Sequence, residues 1–227
     1  MRTLLYVPVI HTSADLGSLA GDIAKRGVAD LGEDIWKAHT ATIERFWDSI
    51  TDYFTFVDVS GMKIYQDGMV ADGAMGQRII EEGAKQGSRN HELVASLLER
   101  GAVLIKTEDF SFVCEERNRL LAIMQAKSIT RKLIAFVKYK FIKNKLLGKR
   151  DEFIAKRINE TLGEKGKGIL FIGAGHNIKN RLPESIQIKE IKDIDKVREY
   201  QRLLPFYRKN RERFDELGKY LIAKIEV

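Results

Sequence analysis

Four histidines are the only imidazoles in this 227-residue chain, and two of them share one setting. His11 follows the apolar run "LLYVPVI", and His176 follows "ILFIGAG". Each therefore stands at the carboxyl end of a segment that reads as a buried strand, the edge at which open α/β sheets bind ligands. Asp67 closes a third such segment, "KIYQ". Two neutral imidazoles and a carboxylate suit a divalent metal ion with a water in the open position. The same groups suit proton transfer, because histidine titrates near neutrality without tuning. The glycines of "GAG" permit a tight turn and close backbone approach. In "KRD", Arg150 can hold an anion or a developing oxyanion, while Asp151 either caps a helix starting at Glu152 or orients a histidine. The plainer alternatives are Asp67 as a turn former and His176 as a surface residue after a glycine turn. His39 and His91 lie in helical patterns and read as surface or partly packed residues.

These groups need a scaffold, and the pattern along the chain supplies one. "TLLYVPVI" reads as a first strand, followed by a helical pattern through Leu16, Leu19, Ile23 and Ala24. Residues 33–50 space Ile35, Ala38, Thr42, Phe46 and Ile50 as a helix, and "YFTFVDV" and "MKIYQDG" then read as a strand and its continuation. Helical spacing returns at 73–86 and at 90–100, the second opening at Asn90 as N-cap and stopping at Gly101. "AVLIKTED" reads as another strand. A glycine-free, basic stretch over 111–147 predicts a long helix or helical hairpin, and 149–168 a shorter helix and loop. "ILFIGAG" and "SIQIKEI" are the last strands, before a helical tail over 193–224 broken near Pro205. Strands alternating with helices predict a single α/β domain over 1–227, with a largely parallel or mixed sheet flanked by helices.

Composition narrows the function classes. With 44% hydrophobic and 31% charged residues the chain is globular, and its apolar runs are too short to cross a bilayer. The N-terminal run reads as a strand and not as an export signal. One cysteine excludes an internal disulfide framework and cysteine-based zinc sites, which points to a cytoplasmic setting. The net charge of +7 is uneven: residues 1–113 carry 11 basic and 17 acidic residues, and 114–227 carry 28 and 15. No nucleic-acid motif accompanies that basic excess. The segment "RKLIAFVKYKFIKNKLLGK" (131–149) fits either an interfacial helix on an anionic membrane or a core-packed helix with a lysine-rich outer face. Homo-oligomerisation is compatible with this composition.

Four segments, "VPVIHTSADLGSL", "KIYQDG", "KRDEFIAKRINETL" and "GILFIGAGHNIKNRLP", resemble in order and spacing the superfamily of erythromycin esterase-like, ChaN-like haem-binding and TraB/PrgY-like proteins, which includes the Tiki metalloproteases. The matching positions are His11, Asp67, Arg150 with Asp151, and His176. The chain resembles a divergent member: Pro8, Val9 and Ile10 replace the usual glycine and glutamate before the first histidine, and Asp67 stands where glutamate is common, with Glu33 as a substitute. The resemblance implies an α/β hydrolase of ester or peptide bonds, metal-assisted or histidine-based, acting on a small-molecule or peptide substrate. The alternative it implies is a non-catalytic protein that holds a small ligand or haem in the same pocket.

Overall fold

The organising element of the computed structural model, which describes residues 1–15, 20–126 and 128–226, is a five-stranded parallel sheet in the order β3-β2-β4-β1-β5. The strands are β1 (Arg2–Val9), β2 (Lys63–Gln66), β3 (Val103–Ile105), β4 (Lys167–Gly173) and β5 (Ile186–Glu190). Parallel neighbours need crossovers. These are supplied by α1 (Ala20–Leu31) and α2 (Glu33–Thr55), α3 (Gly73–Lys85) and α4 (Arg89–Glu99), then α5 (Phe110–Met124) and α6 (Ile129–Thr161). Helices α7 (Ile194–Leu203) and α8 (Arg211–Ile222) close the chain, joined by a 3₁₀ segment around Pro205. Among the described residues, no helix is long and apolar enough to cross a membrane.

β4 occupies the centre, between β1 and β2, and Ile169, Leu170, Phe171 and Ile172 are fully buried. A strand covered on both faces has no polar side to present, which is why it reads as one apolar run. Register brings three strand ends level: Val9 pairs with Gly173, and Gln66 with Phe171. The residues that follow therefore emerge at one edge of the sheet.

Side-chain alternation then sorts them between two faces. On one face lies α2, whose Phe46, Trp47, Ile50 and Phe54 are fully buried and whose Phe54 ring stands 6.1 Å from that of Phe171. On the other lies the second half of α6, with Ile154, Ile158 and a hydrogen bond between the Tyr65 and Thr161 hydroxyls (2.8 Å).

Several boundaries differ from those the sequence predicts. "YFTFVDV" is not a strand: α2 continues through Thr55, because Tyr53 and Phe54 prolong the buried 3.6-residue stripe. β3 stops at Ile105, so Thr107 and Glu108 belong to the loop at the strand ends. Helix α4 is capped by Ser88, whose hydroxyl accepts the His91 N–H, and Asn90 lies inside it. The basic stretch breaks at Ser128, which caps α6 by accepting from Arg131 N–H. From there α6 runs unbroken through Gly148, so Asp151 is mid-helix and caps nothing. Leu16 and Leu19 lie outside the described residues.

Removing the ring of Phe171 opens a cavity between β4 and α2. Phe171→Ala should cost about 3–5 kcal/mol, measured as a lowered urea midpoint at unchanged slope; a loss under about 1 kcal/mol would contradict this packing.

Candidate functional site

Asp67, directly after β2, lies on the α6 face of the sheet edge. Its Oδ1 accepts from Arg150 Nη2 (2.6 Å), and its Oδ2 accepts from the Gly173 N–H (3.2 Å) and faces His176 Nε2 (3.3 Å). One carboxylate thus joins β2, α6 and the end of β4. Gly173 suits this approach: a Cβ at that position would stand 3.2 Å from Asp67 Oδ2, tighter than ordinary van der Waals contact. The first glycine of "GAG" leaves the space the carboxylate occupies.

His176 is buried and held on both nitrogens. Its Nδ1 meets Asp151 Oδ1 at 2.5 Å, and the other Asp151 oxygen accepts the Asn177 N–H (3.0 Å). Mid-helix placement leaves both Asp151 oxygens free for these partners. Burial disfavours a charged ring, but the hydrogen bonds and charges of Asp151 and Asp67 outweigh it and raise the His176 pKa to about 10. At neutral pH His176 is an imidazolium, a proton donor rather than a base. Burial opposes the charge on Asp67 too, yet the hydrogen bond and charge of His176, with the Arg150 charge, hold its carboxyl well below the usual range.

Arg150 meets no open oxyanion position. Its Nε donates to Glu108 Oε2 (2.7 Å), Nη2 also reaches Glu108 Oε1, and Nη1 reaches Glu116. Glu108 is fully buried, and its Oε1 accepts the Gly68 N–H (2.9 Å). The bidentate fork of arginine matches a carboxylate, so Arg150 is a positioning group for Asp67 and Glu108. Near this cluster Tyr6 Oη is buried and has no hydrogen-bond partner among the described residues. Burial, then the Asp151 charge, raises its pKa.

His11 goes elsewhere. It is half exposed, 3.9 Å from Asp15 Oδ2, in a second group where the Ser88 hydroxyl bonds Asp15 and His91 Nδ1 (2.7 Å). Gln66, which points to the face opposite Asp67, reaches His91 Nε2 (3.4 Å). His11 also lines a cavity of about 450 Å³ with Ile10, Ile23, Trp36, His39 and Ile43. His39 is buried there against Tyr200 (2.9 Å), and burial lowers its pKa to about 4. Glu33 pairs with Lys37 on the exposed start of α2 and does not stand in for Asp67.

As placed, His11, Asp67 and His176 do not form a three-ligand metal set. His11 lies with Asp15 and Ser88, while Asp67 and His176 face each other. Among the described residues, no group of three or more His, Cys, Asp or Glu side chains is arranged to hold a metal ion. Of the candidate haem ligands, His11 lines the apolar cavity.

Sequence reasoning missed Glu108, Glu116, Tyr6, Asp15 and Ser88. Glu108 carried a usable signal, an acid just past an apolar strand; Glu116 and Tyr6 carried none. Comparison with known proteins gives no match, whether to a family model, a curated protein or a solved structure. The likeness to the erythromycin esterase-like superfamily rests on its four sequence motifs.

Two measurements test the cluster. In NMR titrations the His176 ring should stay protonated until about pH 10, and Asp151→Asn should move its titration towards 6.5. Because the folded pKa is raised, the stabilisation from this proton is complete below pH 6.5 and is lost as pH rises through about 10. The stability gap between the wild type and His176→Gln should narrow over that range. Arg150→Met strands buried carboxylates and should destabilise by about 3–5 kcal/mol in urea unfolding; a neutral effect would contradict the network.

Proposed function

We propose that the chain is a hydrolase of ester or amide bonds whose working groups are Asp67 and His176. The observation that carries this reading is the line Asp151–His176–Asp67. It fixes the imidazole at Nδ1 and aims a protonated Nε2 at an ionised carboxylate, at the sheet edge where α/β proteins bind ligands. Buried ionisable groups with large pKa shifts concentrate at functional sites.

In an ester, a water held by Asp67 attacks the carbonyl carbon and gives its proton to Asp67. The tetrahedral intermediate collapses, the carbon–oxygen bond to the leaving group breaks, and Nε2 of His176 gives its proton to the departing oxygen. Asp67 then returns its proton to His176, 3.3 Å away, and acid and alcohol leave. Asp151 holds the ring in position, and Arg150 with Glu108 holds Asp67.

The cavity at His11 favours a second reading, a protein that holds an apolar small ligand or haem without turning it over. Trp36 on its wall would report binding by fluorescence, and a haem Soret band lost in His11→Ala would identify the axial ligand.

A panel of p-nitrophenyl esters and chromogenic peptides tests the first reading. Asp67→Asn and His176→Gln should each lower kcat at least about 100-fold, with circular dichroism showing both folded. The wild-type rate should fall as pH rises towards 10, where His176 loses its proton. Equal turnover in folded variants and wild type would overturn the assignment.

A further inference from the structure

Helix α5 and the first half of α6 form a basic hairpin whose outer face is apolar. From Arg117 to Arg150 the chain has 11 Lys and Arg and no Asp or Glu. Arg119 pairs with Glu115, and Arg150 with its carboxylates; among the described residues, no salt bridge involves the seven cations from Arg131 to Lys149.

The apolar residues of this part of α6 divide between two faces. Ala135, Tyr139, Ile142 and Leu146, at helical spacing, turn inward, and the Tyr139 hydroxyl donates to Glu116 of α5 (3.1 Å). Helical periodicity puts Leu133, Ile134, Val137 and Phe141 on the opposite side, where Phe141 is 83% exposed and Leu133 60%. Lys138 and Lys145 flank this stripe on one side, and Lys140 and Lys143 on the other. Phe136 adds a further exposed ring, 51% accessible. The inner face of 131–149 packs on α5, and its outer face carries exposed apolar residues as well as lysines.

We propose that this face of the hairpin binds an anionic lipid surface, lying in the headgroup plane without crossing the bilayer. The occupant follows from the combination. An apolar stripe enters the acyl boundary while flanking lysines meet lipid phosphates and carboxylates, and their stems reach outward from the buried stripe. Nucleic acid would use the cations but has no use for bulky apolar side chains spaced as one outer stripe. A second copy of the same face would bring like charges together.

Cosedimentation with vesicles tests this. The full chain should bind vesicles of phosphatidylcholine with about 30% phosphatidylserine at least about tenfold more than phosphatidylcholine alone, and high salt should reduce the bound fraction. The triple variant L133Q/V137Q/F141Q changes only exposed residues to a good helix former, so it should keep its melting temperature and lose about tenfold in binding. Lys138→Gln with Lys140→Gln and Lys145→Gln should remove the preference for phosphatidylserine. Absent binding, or equal binding to neutral vesicles, would overturn the proposal. So would duplex DNA or RNA binding without vesicle binding. A self-association in ultracentrifugation that the triple variant abolishes, again without vesicle binding, would reassign the stripe to a second copy.

Discussion

The carboxylate of Asp67, gripped between Arg150 and His176, is the constraint on which the arrangement of this sheet edge depends. It ties β2 to α6 and to the end of β4, and its low proton affinity keeps the two cations charged inside the protein. Buried charges are costly unless paired and hydrogen-bonded. Here the pairing is extensive: Glu108 and Glu116 complete the guanidinium, Asp151 completes the imidazole, and backbone N–H groups of Gly68, Gly173 and Asn177 occupy further carboxylate oxygens. Burial alone would neutralise His176 and protonate Asp67. Their neighbours reverse both tendencies.

The parallel sheet makes that pairing geometrically natural. With every strand running the same way, the ends of β1, β2, β3 and β4 emerge together, and polar residues just past an apolar strand find each other without long excursions. Alternation divides the edge: Asp67 takes the α6 face, and its neighbour Gln66 takes the face of α2 and α4. The result is two polar groups at one sheet edge, an ionic network around Asp67 and a smaller group of Asp15, Ser88 and His91 beside the apolar cavity.

The sheet edge was legible in the sequence because an apolar run that ends in a polar residue is a strong local pattern, and Asp67 and His176 both follow from it. The association of His11 with His176 was not, because which face a residue takes depends on register and on the turn after the strand, neither of which one sequence encodes locally. For Asp151 the histidine-orienting alternative agrees with its bond to His176, and the capping alternative fails. After "GK", an aspartate looks like a cap, yet burial of Leu146, Ile154 and Ile158 on one stripe carries α6 straight through Gly148. Tertiary packing overrode a local signal there, as it did at "YFTF", where α2 continues because Tyr53 and Phe54 face the core. Arg150 shows the limit of residue-type reasoning: arginine suits an oxyanion and a carboxylate equally well, and only its neighbours decide.

Helix α6 carries more than its packing suggests. At about 1.5 Å per residue its 33 residues span about 50 Å, and both the exposed stripe near its start and the Arg150–Asp151 pair sit on that one hydrogen-bonded rod. The tip and the ionic network are therefore not mechanically independent. A tilt or turn of the outer half would pass along that rod to the carboxylate that fixes the imidazole.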